Sequence, residues 1–133
     1  MNYAHYCDLA ELVDCPGPEL ATRGRALVDF LHDSYPDAEA EVALFLDSIP
    51  QKALDLQELY TRTFEVQALT TLGVGYVLFG DDYKRGALLS NLNREHNDAD
   101  NDCRGELADH LPNVLRLMPK LKDQNLLEEL VEQ

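Results

Sequence analysis

The chain predicts an all-α fold, a single-domain helical bundle of about seven to eight helices over residues 1–133. Three observations carry this. Apolar residues recur at three- and four-residue spacing through most of the chain. Prolines and glycines cut these runs at intervals that suit helix ends. No segment alternates in a way that would give a strand a partner. A length of 133 residues fits one domain able to bury roughly two thirds of its unfolded surface, and 45% hydrophobic residues with 13 Gly and Pro describe a globular chain.

In chain order, Tyr3, Tyr6, Ala10 and Val13 share a helical face over residues 2–14, and "CPGP" stops it because two prolines around a glycine cannot continue a helix. Leu20, Leu27, Leu31 and Tyr35 define a second helix that ends at "YPD", where Pro36 or Asp37 opens the next. Ala38, Val42, Phe45, Leu46 and Ile49 run to Pro50, and Leu56, Leu59, Tyr60 and Phe64 form a fourth amphipathic stretch. "LTTLGVGYVLFGDDYKRG" is ambiguous by propensity. Val74, Tyr76, Val77 and Phe79 favour strand, while Gly73 and Gly75 each weaken a helix by about 1 kcal/mol. It is read as helix, since a lone strand would have no partner. Gly80 then suits a C-terminal stop and Asp81 an N-cap for a helix from Asp82 to about His96, with Ala87, Leu88 and Leu92 inward. "NREHNDADNDCRGE" is a polar loop. Leu107, Leu111, Val114, Leu115 and Met118 share the next helical face, with Pro112 in its first turn if Asp109 lies near the N-cap. After Pro119, Asn125 to about Val131 forms a last apolar piece.

With 25 Asp and Glu against 11 Lys and Arg, the formal net charge is −14. Nucleic acid and anionic membrane surfaces are repelled by such a chain, whereas a basic partner is steered towards it. Cys7, Cys15 and Cys103 are odd in number and form no CxxC pair, which fits reduced thiols rather than a disulfide framework or zinc finger. The first 14 residues carry acids without a basic region or long apolar stretch, and no window approaches a membrane span. A soluble cytoplasmic protein with no direct membrane insertion is expected.

The segment "CRGELADHLPNVLRLM" holds the densest candidate chemistry: Glu106, Asp109 and His110 at the edge of an apolar helix. Asp98, Asp100, Asp102 and Asp109 fall on positions 1, 3, 5 and 12 of a calcium-binding EF-hand loop, but Cys103 stands where that loop turns on Gly, and Asp109 is shorter than its bidentate Glu. His96, Cys103 and His110 match no common zinc spacing. A Cys103–His110 nucleophilic pair has suitable residue types, and only geometry can decide it. This cluster between His96 and His110 is the basis of an alternative reading as a metal-binding protein or small enzyme. A second alternative is an unrelated helical interaction module.

"LQELYTRTFE" at 56–65, "LGVGYVLFGDDYKRGALL" at 72–89 and "GELADHLPNVLRL" at 105–117 occur in an order that resembles the cytoplasmic assembly chaperones of molybdoenzymes. The likeness is to the nitrate reductase delta-subunit (NarJ-like) branch and its TorD- and DmsD-like relatives. Tyr60, Phe64 and Glu65 match the first motif; Gly80, Asp81, Arg85 and Gly86 the second; Glu106, Leu107, Asp109, His110, Leu111 and Pro112 the third. Ala108 stands where the family usually has proline, and Arg116 where this branch usually has an acid.

The resemblance implies a helical bundle that is not an enzyme and has no cofactor of its own. It implies a partner: the apo catalytic subunit of a molybdopterin oxidoreductase, held by its basic, partly apolar N-terminal leader until molybdenum cofactor is inserted. Tyr60, Phe64, Tyr76, Asp81, Arg85, Glu106, Asp109, His110, Leu111 and Pro112 are the implied peptide-binding residues. Glu106 and Asp109 would face the leader's cations, with His110 as a hydrogen-bonding group. A structural role for Asp109 as a helix cap is the competing expectation, and the two can coexist.

Overall fold

The computed structural model describes residues 3–65, 70–80 and 82–132. Among them are eight α-helices and no strand, in agreement with the all-α expectation: α1 Tyr6–Val13, α2 Leu20–Ser34, α3 Pro36–Ser48, α4 Ala53–Phe64, α5 Val74–Phe79, α6 Tyr83–Asp98, α7 Leu111–Leu117 and α8 Gln124–Glu132. A 3₁₀ turn, Met118–Lys120, follows α7 directly. No described helix is long and apolar enough to cross a membrane.

The chain divides into two compact units, Cys7–Thr71 and Met1–Tyr6 with Leu72–Gln133. In the first, Ala10, Leu20, Leu27, Leu31, Leu46 and Tyr60 are buried. Close approach of α2 and α3 depends on Gly24, where an added Cβ would lie 2.6 Å from a Leu46 methyl. The two helices meet at Tyr35 and Pro36. Pro36 opens α3, where its fixed φ and missing N–H are harmless, while Tyr35 is 52% exposed at the joint rather than on the inner face of α2.

In the second unit the core gathers Leu92, Ala108, Val114, Leu117, Met118, Leu121 and Leu127. Helix α5 exists but lasts only 6 residues; Gly80 ends it at φ 62° and ψ −136°, a backbone conformation that favours glycine, and donates its amide to the Tyr76 carbonyl at 2.8 Å. Gly73 before it is extended. Helix α6 is capped by Asp82, whose side chain accepts the Lys84 amide at 3.0 Å, so the cap sits one residue later than the expected Asp81, which lies outside the described residues. Ala87 is exposed rather than inward. The segment before α7 remains loop as far as His110, which leaves Leu107 57% exposed rather than on a helical face.

Candidate functional site

Two backbone hydrogen bonds tie the third motif to the second. Val74 donates its amide to the Asp109 carbonyl at 2.9 Å, and Leu111 donates to the Leu72 carbonyl at 2.7 Å, forming an isolated antiparallel bridge between Gly73 and His110. This pairing brings the Asp109 side chain to the first turn of α5. Its Oδ2 accepts the Gly75 amide at 2.8 Å and Arg85 Nε at 3.0 Å, while Oδ1 accepts Arg85 Nη2 at 3.3 Å. The Arg85 guanidinium also lies 5.9 Å from the Tyr76 ring centroid, a cation–π distance. Gly75 is required by the crowding. A Cβ there would fall 2.7 Å from Asp109 Oδ2 and 2.8 Å from Arg85 Cγ.

Asp109 therefore caps a helix, but α5 and not its own. The N-cap of α7 is His110, which makes no side-chain cap bond. The expectation that Asp109 meets a peptide cation is corrected as well: its side chain is 1% exposed, and both oxygens are engaged by protein donors. A carboxylate removed from water in this way persists because its hydrogen bonds and ion pair replace the lost hydration. Arg85 contributes that pairing and is itself only partly exposed.

The loop leading to Asp109 is held by a buried polar chain that the sequence did not announce. Asn101 Oδ1 accepts from Lys120 Nζ at 3.1 Å, which orients its amide to donate to His96 Nδ1 at 3.0 Å and to the Asn113 carbonyl at 3.2 Å. With Nδ1 accepting, His96 carries its proton on Nε2 and donates to the Ala108 carbonyl at 2.9 Å. Asn113 in turn donates to the carbonyls of Cys103 and Leu107, both at 3.1 Å. Asp100 and Arg104 adopt positive φ, at 53° and 55°, and Gly105 joins them at 83°. The helical spacing of apolar residues is blind to such a chain, because its members are polar.

These contacts bear on the candidate chemistries. Both ring nitrogens of His96 serve the loop. Asp102 accepts the Arg104 amide at 2.8 Å in a local turn. Burial, followed by the charge of Asp102, raises the pKa of the Cys103 thiol above its ordinary value, the opposite of an activated nucleophile. Among the described residues, no group of three or more His, Cys, Asp or Glu is placed to hold a metal ion.

The remaining candidates are distributed between the two units. Glu106 is exposed, Leu111 is half-buried and Pro112 is buried in the first turn of α7. His110 has a buried Nε2 without a hydrogen-bond partner. Tyr76 is 47% exposed, followed by Val77, Leu78 and Phe79, all with open surface, so α5 presents a short apolar face. Tyr60 and Phe64 belong to residues 7–71, where their rings pack at 5.2 Å and line an apolar cavity of about 280 Å³ with Leu12, Val13 and Phe45. Those last three were not among the sequence candidates, and only α1 and α3 folding beside α4 assembles them. Compared with known proteins, the chain matches no family model, and no curated protein matches it.

Proposed function

We propose that the protein is a cytoplasmic maturation chaperone for a molybdenum-containing oxidoreductase. It binds the N-terminal leader of the apo catalytic subunit and holds that subunit while molybdenum cofactor is inserted and the complex assembled. In this reading it catalyses no step and carries no cofactor.

The supporting observation is the meeting of two of the three motif segments at one carboxylate: Gly75 and Arg85 from the second are gathered by Asp109 from the third. Residues far apart in sequence and similar in kind and order to the family's motifs thus form one structural knot. Arg85 and Asp109 act here as positioning residues that fix α5, while Glu106 remains exposed to meet a cation. The leader is basic and partly apolar. The net charge of −14 steers it, and apolar surface awaits it on α5 and beside Tyr60 and Phe64.

Calorimetric titration with a synthetic N-terminal leader of a molybdopterin oxidoreductase catalytic subunit from the same organism tests the proposal. Binding of about micromolar strength that weakens with added salt is expected. Absence of binding at low salt, with normal maturation of that oxidoreductase in cells lacking the chain, removes the proposal.

A further inference from the structure

We infer that α5 and the start of α6, within the unit formed by Met1–Tyr6 and Leu72–Gln133, make the interface of a two-fold dimer whose partner is a second copy of this chain. Tyr76, Val77, Leu78 and Phe79 are consecutive on α5 and all have open surface, Val77 at 69%; past the Gly80 turn, Tyr83 opens α6 at 83% exposure. The Arg85 guanidinium over the Tyr76 ring ties the first turn of α6 to α5, and the Asp109 carboxylate binds Gly75 and Arg85 together, so the face is fixed before any partner arrives. A fully exposed tyrosine or phenylalanine offers roughly 200 Å². At their fractional exposures the three aromatic residues with Val77 and Leu78 leave roughly 500 Å² open, the size at which an apolar patch on a monomer marks an interaction site. Two such faces bury about 1,000 Å² between them, the lower limit for a specific interface and the range of a weak, reversible dimer.

Charge makes a second copy a fitting occupant. Residues 72–89 carry Asp81 and Asp82 against Lys84 and Arg85, a net of zero, while residues 7–71 hold thirteen Asp and Glu against four Lys and Arg, −9 of the chain's −14. The face itself is locally neutral, so repulsion between two copies comes from residues elsewhere and is screened by salt. A face with equal numbers of acids and bases is self-complementary about a two-fold axis, which sets Asp82 and Lys84 of one copy toward Lys84 and Asp82 of the other. The inference does not rest on the chaperone proposal, and its salt dependence is the opposite of that expected for a basic leader. In that proposal a leader reaches α5 only on the monomer.

Sedimentation equilibrium of the full chain, from low micromolar to several hundred micromolar and at low and moderate sodium chloride, tests the inference. A reversible monomer–dimer equilibrium with a Kd on the order of tens of micromolar is expected. Salt should tighten it a few fold, because screening relieves the repulsion between two chains of charge −14. Val77→Gln and Tyr83→Gln should each weaken the dimer about tenfold. Their melting temperatures in dilute solution should stay near wild type, because both side chains stand on the surface. Leu54→Gln, on α4 and 79% exposed, controls for the loss of any surface apolar group and should leave the dimer unchanged. Tyr83→Gln carries the test alone if Val77→Gln fails to fold. A monomer throughout the range, a dimer that salt loosens, a dimer untouched by both variants or weakened equally by Leu54→Gln, or open-ended growth beyond the dimer overturns the inference.

Discussion

Asp109 and Glu106 are three residues apart and play opposite parts. The Asp109 carboxylate, buried against the Gly75 amide and Arg85, is part of the fold, whereas Glu106 is open to solvent. Asp109→Asn retains an acceptor but loses the ion pair and places an amide NH₂ against donors. The loss of charge-assisted bonds in a buried site is worth about 1.5–3 kcal/mol, and the melting temperature should fall by roughly 5–10 °C. Glu106→Gln should leave it within about a degree, since exposed surface changes cost under about 0.5 kcal/mol, while lowering affinity for a basic leader by a few fold. Thermal melts and peptide titration of the two single variants check both halves. Equal melting temperatures would mean that the Arg85–Asp109 pair contributes nothing to stability.

At the level of elements, α2 and α3 are joined near their shared turn by a pair whose strength depends on pH. His32 Nδ1 lies 3.1 Å from Glu39 Oε2, and the hydrogen bond to Glu39, followed by that residue's charge, raises the His32 pKa above the ordinary 6.5. A raised folded-state pKa means that the protonated form is favoured on folding. The contribution is therefore complete below 6.5 and disappears as pH rises through the higher folded value. His32→Gln should flatten the decline of stability over that interval and leave the alkaline side unchanged, as read from urea unfolding at several pH values. A variant that keeps the wild-type slope would assign the slope to another group. The same helix pair shows how little room packing leaves: Gly24 is buried against Leu46, and the spacing of large apolar residues passes over it.

For the whole molecule, self-repulsion should outweigh the surface ion pairs. Most of the net −14 falls on residues 7–71, where −9 is concentrated in one compact unit. Salt at about 0.15 M shortens the screening length to about 8 Å, so moderate salt should raise the melting temperature even though it weakens the few surface ion pairs. Calorimetric scans in sodium chloride from low to moderate concentration would reveal this. A fall in melting temperature with salt would instead give the ion pairs the larger share. The same field that strains the free protein favours a basic partner, so salt should act on stability and on peptide affinity in opposite directions.

The sequence alone determined the all-α class and most helix boundaries, because 3,4 spacing and proline or glycine stops are local properties that each segment carries by itself. Pro36 opening α3, Gly80 closing α5 and Pro112 in the first turn of α7 were all legible for this reason. It also brought forward Tyr60, Phe64, Arg85 and Asp109 as residues of interest, while leaving their roles undecided. Only the tertiary structure decided that Asp109 caps α5 and that Asn101 and Asn113 hold the loop before it. Tertiary structure was also needed to put Leu12, Val13 and Phe45 around the same cavity as Tyr60. Each of these depends on partners distant in sequence. Whether a carboxylate faces solvent or an arginine is settled by the residues that fold against it, and no spacing along the chain encodes that.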